Sequence, residues 1–283
     1  NVLARASQMR KGFRASVASG NTMYRLRVML TYASGMLDSG WSYAFSVSTR
    51  QGYNGYVDGV FYNTFGYFAS VEKNFGNGHN LALTVFGTPT QRGAQQASTQ
   101  EAYDLFGNNY YNPNVGYYAG KLRNTRVRNN HEPVAMLNYE WQATEKTRLR
   151  VATSVRFGFN GYSALTWADG PDPRPDYYRY LPSYYGDRLQ DMIDINNVID
   201  MYDLPDEKYS DIGLETYRNK MMETAANWDG MIDWDGMVNI NRGRGCIDDT
   251  YSTTQTRSNY IIEERHTDQI DYNFTANIAH TFN

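Results

Sequence analysis

Eight arginines sit in segments that alternate apolar and polar residues, and all eight share the polar parity: Arg10, Arg14, Arg25, Arg27, Arg50, Arg148, Arg150 and Arg156. A guanidinium stays charged at any physiological pH and offers a fork of donors matched to carboxylate and phosphate. Such a row makes a basic wall. It could meet acidic groups of a domain packed against it or guide an anionic solute. The plainer alternative is a polar surface that tolerates charge. A second group mixes Tyr103, Tyr110, Tyr111, Asn112 and Tyr117 with further Asn and Gly. A ring can stack on a polar ligand while an amide hydrogen-bonds it, although the same residues also mark turns. The third group is a doubled motif, Trp228-Asp229-Gly230-Met231 and Trp234-Asp235-Gly236-Met237. It suggests a small hairpin cap and makes Trp228 and Trp234 candidates to face a substrate.

Catalysis finds little support. His79, His131, His266 and His280 are scattered and carry no metal-ligand spacing. His131 and His266 flank long loops and are expected near one another at one rim. No serine sits in a nucleophile elbow, and no glycine loop is built for phosphate. Asp169, Asp172 and Asp176 lie near Gly170, but the turn glycine and closing glutamate of a calcium loop are missing. The reading is therefore no enzyme, no metal and no cofactor.

The elements that must position these residues are strands. In 24–34, Tyr24, Leu26, Val28, Leu30 and Tyr32 point one way and Arg25, Arg27, Met29, Thr31 and Ala33 the other. The same period of two predicts eight strands, at 9–18, 24–34, 41–50, 64–74, 80–90, 133–142, 148–159 and 269–282. A strand that is greasy on one face and bears arginine on the other suits a wall between lipid and water. A soluble sandwich would have to place the arginine face in its core. Mean hydropathy is −0.65, and no apolar run is long enough for a membrane helix.

The connections divide into two classes. Those at 35–40, 75–79 and 143–147 are short, whereas 51–62, 91–132 and 160–267 are long. Short turns at one rim and long loops at the other are the layout of an outer-membrane barrel. The insertions 91–132 and 160–267 are then extracellular, and a short helix is expected within 188–223. Tyr32, Trp41, Trp141 and Phe282 fall near the short-turn rim on the apolar face, where amphipathic rings suit a headgroup interface.

Charge follows the same division. Residues 163–265 hold 20 of the 30 acids and 10 of the 27 bases, a balance of −10 against +7 for the rest. The exposed loops are thus acidic, which argues against nucleic acid as a partner. The single cysteine, Cys246, excludes an intrachain disulfide framework. With no initiator Met or signal peptide in the sequence, an internal part of a longer precursor is expected.

Several short stretches carry a resemblance. Phe86-Gly87-Thr88-Pro89-Thr90-Gln91-Arg92-Gly93 is followed by Gln100-Glu101-Ala102-Tyr103-Asp104 and Asn109-Tyr110-Tyr111-Asn112-Pro113. Gly116-Tyr117, Lys121-Leu122-Arg123-Asn124 and His131-Glu132-Pro133 come next, then Tyr260-Ile261-Ile262-Glu263-Glu264-Arg265-His266-Thr267-Asp268-Gln269. Over 9–160 and 258–282 the chain resembles the barrel portion of Bacteroidetes TonB-dependent outer-membrane receptors.

The resemblance implies roughly the first third of a barrel of about 22 strands around a plug domain. No plug is recognisable in residues 1–283. It also implies solute import driven through TonB-ExbB-ExbD, a bacterial outer-membrane location, contact with outer-membrane lipid and, in some relatives, a surface lipoprotein partner. The lumen arginines would help hold the plug. The alternative is an eight-stranded barrel complete in itself, with a structural or enzymatic role.

Overall fold

The structure, a computed structural model, describes residues 5–53, 55–168, 170–202, 204, 208–243 and 258–282. Its frame is one antiparallel sheet in which each span lies beside its predecessor. The first spans are β1 (Gly12–Ser19), β2 (Leu26–Ala33), β3 (Trp41–Gly52), β4 (Tyr62–Gly76) and β5 (His79–Gly87), the last continued by β6 (Thr90–Gly93). A separate hairpin, β7 (Val115–Tyr118) and β8 (Lys121–Asn124), precedes β9 (Val127–His131), which continues into β10 (Val134–Thr144). Then come β11 (Thr147–Trp167) and β12 (Tyr260–His280). With the two interrupted strands each counted once, these are the eight expected spans.

Both interruptions fall at prolines. Pro89 separates β5 from β6, and Pro133 separates β9 from β10. Proline has no N–H to donate to a ladder, but its carbonyl still accepts. Phe65 N–H donates to Pro89 O at 3.1 Å and Phe157 N–H to Pro133 O at 3.2 Å, so the sheet continues across both breaks. Opposite the second, Gly158 has φ +134°, and a Cβ there would lie 2.0 Å from the His131 carbonyl oxygen. That close approach requires glycine.

The two faces are inverted relative to a soluble protein. Ser42, Ser70 and Thr84 are fully buried, while Phe45 and Leu83 are 47% and 48% exposed. Small polar residues close the buried face with hydroxyl pairs, Thr31 to Ser46 at 2.8 Å and Ser70 to Thr84 at 3.0 Å. Across the other face, Tyr43, Val71, Leu83, Leu137, Thr153 and Phe274 form one cross-strand row. Among the described residues β1 pairs with β2 alone and β12 with β11 alone. Among these residues the sheet is open, with no eight-stranded closure.

The long insertions are folded rather than irregular. Within 91–132 lie β6, the β7–β8 hairpin, β9 and α1 (Gln100–Phe106). The Thr99 side chain caps α1 by accepting from Ala102 N–H, and Gly107 ends it with φ 81°. Within 160–267 the ladder runs on to the pair Trp167–Tyr260, eight residues past the expected strand end. The hydrophobic alternation lapses at Gly161 and Ser163 and the apolar residues beyond, Leu165 and Trp167, pack on the loop cluster of Ile232, Trp234, Met237 and Tyr260, yet backbone pairing needs no apolar period. Between those ends stand α2 (Pro182–Met201), α3 (Asp211–Asn227) and α4 (Trp234–Gly243), considerably more helix than the sequence implied. Asn196 ties α2 to the start of α3 by hydrogen bonds to both backbone groups of Tyr209, at 2.8 and 3.0 Å.

The doubled motif is not a hairpin cap. Trp228-Asp229-Gly230-Met231 is an irregular turn after α3, with Gly230 at φ +67°. Trp234-Asp235-Gly236-Met237 is the first turn of α4, and Asp233 Oδ1 caps it by accepting from Gly236 N–H at 2.8 Å. The same four letters do two jobs because Asn227, before the first copy, is itself the last residue of α3, whereas Asp233, before the second, stands outside any helix and is free to cap α4.

Candidate functional site

Two regions bring chemistry together. The first is the polar face. A short 3-10 turn, Ala6–Gln8, lies on it, with Ala6 fully buried against Ala33, Ala44, Met9 and Phe68. The turn carries Arg5 to two carboxylates of the wall. Arg5 Nε and Nη2 donate to Glu72 Oε1 at 3.1 and 2.6 Å, and Nη1 donates to Glu140 Oε2 at 2.5 Å. Ser7 N–H donates to the other oxygen of Glu72 at 3.0 Å. The Glu72 side chain is completely buried, so this forked guanidinium is what balances its charge. Beside the cluster lies a cavity of about 630 Å³ lined by Asn80, Asn138, Arg150, Asn273, Thr275 and Asn277 among others.

The expected lumen arginines divide into three sets. Arg148 and Arg150 are held by Glu140 at 3.2 and 3.1 Å, and Arg156 by Asp271 at 2.5 Å. These three have partners within the wall itself. Arg14, Arg27 and Arg50 lie on the polar face, Arg14 and Arg27 opposite Thr31 and Arg50. Arg10 and Arg25 fall just outside β1 and β2, in the connections, and so are not strand residues. Sequence reasoning missed Arg5 altogether. The signal was the wall acids: Glu72 and Glu140 are carboxylates at polar-face positions, the one other charge on their strands, Lys73, sits on the opposite face over Trp41, and each acid needs a cation.

The second region is the loop assembly. Tyr111 is buried, with ring centroids 5.1 Å from Phe106, 5.3 Å from Trp228 and 6.2 Å from Tyr103. Asn112 is buried too, and its amide donates to the carbonyls of Asp58 and Ala94. Trp234 is buried, with the Arg123 guanidinium 5.3 Å from its ring. These three hold the loops together and have no open face for a solute. Tyr110, stacked on Tyr56 at 6.3 Å, and Tyr117 are more than half exposed. Tyr103 and Trp228 are intermediate. Trp228 donates its indole N–H to Pro175 O and lines a cavity of about 600 Å³ with Tyr180, Met237 and Tyr260.

The aspartates near Gly170 are spent on neighbours. Asp172 holds Arg174 at 2.5 Å and Asp176 accepts from Ser98 Oγ at 2.7 Å, while Asp169 and Cys246 lie outside the described residues. His131 and His266 flank β11 from opposite sides, paired with Phe159 and Gly161. His131 Nε2 lies 2.9 Å from the Tyr67 hydroxyl, and His266 stacks on Phe159 at 5.0 Å. At the other rim Trp141 stacks on His79 at 5.3 Å and Lys73 sits 5.0 Å over Trp41.

Tyr111 yields a test of the loop core. Burial, reinforced by Asp176 and Asp229, holds its phenol well above the usual tyrosine range. The unfolded chain therefore loses this proton first, near pH 10. Stability is flat below that pH and falls as pH rises above it. Its hydroxyl is also buried without a partner. Tyr111→Phe is expected to change stability by no more than about 1 kcal/mol at pH 8 and to lessen the alkaline loss. Melts of both proteins at the two pH values check this.

One up-and-down antiparallel sheet, with its polar side buried and its apolar side exposed, is the architecture of a barrel-wall segment. No family model and no curated protein matches the sequence. Among solved structures the chain is similar to the open form of the ferric-catecholate import receptor Fiu from E. coli K12, at 16% identity and a TM-score of 0.42 over 58% of this chain. The match spans 26% of that receptor's chain, about a quarter of its length.

Proposed function

We propose that this chain is part of the barrel wall of a TonB-dependent outer-membrane transport receptor of the Bacteroidetes kind. The observation that carries the reading is the inversion of the sheet together with what covers its polar side. A wall that faces lipid must expose its apolar side over the depth of a bilayer. On β11 the outward residues run from Leu149 to Phe159, ten steps along the chain or about 33 Å of strand. At a tilt of about 40° that spans about 25 Å, the height of an outer-membrane apolar band. Histidine, tryptophan and lysine appear at one end of the band and the Tyr67–His131 and Phe159–His266 contacts at the other, as an interface requires.

In this reading the polar side surrounds a plug that belongs to the same protein. The Arg5 turn enters from the plug side and latches onto Glu72 and Glu140. The folded insertions stand outside the cell, where Tyr110, Tyr117 and Trp228 meet the solute. TonB-ExbB-ExbD pulls on the plug to release it inward, and a surface lipoprotein closes the top. The alternative of a closed eight-stranded barrel loses support because β1 and β12 do not pair.

Cysteine labelling of the whole receptor in cells, with Cys246 replaced, tests the orientation. Leu137→Cys is expected to resist a water-soluble maleimide, while Tyr117→Cys reacts from outside. Labelling of Leu137→Cys as fast as Tyr117→Cys would sink the membrane reading.

A further inference from the structure

Near its loop end the polar face carries two pairs of arginines that directly oppose each other. Arg27 on β2 faces Arg50 on β3, and Arg92 on β6 faces Arg128 on β9. Directly opposed side chains in an antiparallel pair leave their Cβ atoms about 5 Å apart, and like charges there repel. The ion pairs of this face go elsewhere, to Arg5, Arg148, Arg150, Arg156 and Arg265. Among the described residues none of the four has a carboxylate within 4.0 Å. The Nε–H groups of Arg27 and Arg50 are buried and donate to nothing.

The floor between the pairs is neutral and hydrogen-bonding. Thr64 lies opposite Arg50, Thr90 opposite Thr64, and Asn130 opposite Thr90. Tyr62 lies opposite Arg92. Arg50 and Arg92 are thus two strands and one two-residue step apart, about 12 Å between backbones. Two forked cations over an uncharged floor are complementary to a molecule with oxyanion groups at both ends.

We propose that Arg27, Arg50, Arg92 and Arg128 form a binding subsite for a solute carrying two or more carboxylate or phosphate groups. The inference rests on the reading of this face as the inner wall of a transport receptor. It adds a substrate class, because the loop end is where an arriving solute first meets the wall. Free solute is favoured over acidic side chains of a covering domain. Where a covering segment does touch this face, the wall supplies the acids and the segment the arginine, through Glu72, Glu140 and Arg5.

Titration calorimetry on the full-length receptor in detergent tests this, with inositol hexakisphosphate as the polyanion probe and uncharged inositol as control. Binding of the probe alone, weakened by salt, is expected. Arg27→Gln and Arg50→Gln are each expected to weaken it about tenfold to a hundredfold. Arg14→Gln, two rows away on the same face, is expected to change it less than about twofold. Probe binding that ignores Arg27→Gln and Arg50→Gln would overturn the proposal. So would a wild-type receptor that binds no probe but melts lower when either arginine is replaced, since the pairs would then be holding a part of the protein. The measurement needs neither a membrane nor energy coupling, so its failure leaves the transport reading standing.

Discussion

Arg5→Ala is expected to destabilise the folded wall by about 3–5 kcal/mol, far more than loss of an exposed ion pair. Glu72 is the reason. Its side chain has no solvent exposure, and Arg5 supplies both a forked hydrogen bond and the neutralising charge. Removing the guanidinium strands one carboxylate in the wall and strips Glu140 of one of its three arginines. The effect should shrink when the wall acid goes too. In the pair Arg5→Met with Glu72→Leu no buried charge remains, so most of the lost stability is expected to return. Denaturant unfolding in detergent of the wild type, Arg5→Met, Glu72→Leu and the pair makes a double-mutant cycle. Additive losses would mean that Arg5 and Glu72 act independently, and the latch would have to be given up. Cooperative losses would show that the turn before β1 and the wall fold as one unit.

Leu137→Arg, in the middle of the apolar face, is expected to cost about 2–4 kcal/mol for folding into lipid vesicles. Leu137 lies in register with Leu83 and Thr153, near the centre of the outward band. A guanidinium there must be buried in hydrocarbon or must deform the bilayer to reach water. The next residue provides the control. Asn138 lies between Ala82 and Ala152 on the polar face, and Asn138→Arg should cost less than about 1 kcal/mol. Two adjacent positions therefore separate the faces by charge tolerance alone. Equal costs would contradict a lipid-facing wall, and a larger cost for Asn138→Arg would describe a soluble sheet with the opposite core.

The spans and the assignment of residues to faces were legible in the sequence because they depend on local chemistry. A period of two is written directly in Tyr43, Phe45 and Val47 against Ser42, Ala44 and Ser46, and the register keeps each set on one face. Arg14, Arg27, Arg50, Arg148, Arg150 and Arg156 followed from the same parity. Arg10 and Arg25 carried the right parity but fall just before β1 and β2, Arg25 at the margin of the ladder, where its N–H donates to Gln51 O at 2.9 Å. The run of β11 and β12 to Trp167 and Tyr260 was hidden for a related reason. Above the apolar band the period lapses at Gly161 and Ser163 before Leu165 and Trp167 meet the loop cluster, and a backbone ladder leaves no periodic trace of its own there.

What the sequence by itself determined, then, is an inverted antiparallel wall with short turns at one rim and large insertions at the other. Only the tertiary structure decided what each charged or aromatic residue touches. Tyr111, Asn112 and Trp234 had the composition of a binding surface and became the core of the loops, because burial depends on neighbours such as Phe106 and Arg123. Arg92 and Arg128 lie within a long insertion in the sequence, yet β6 and β9 set them face to face. Arg5 and Glu72 are 67 residues apart, and nothing local to either announces the other. Contacts of that kind arise from how distant strands pack, and a one-dimensional pattern of residue types does not encode them.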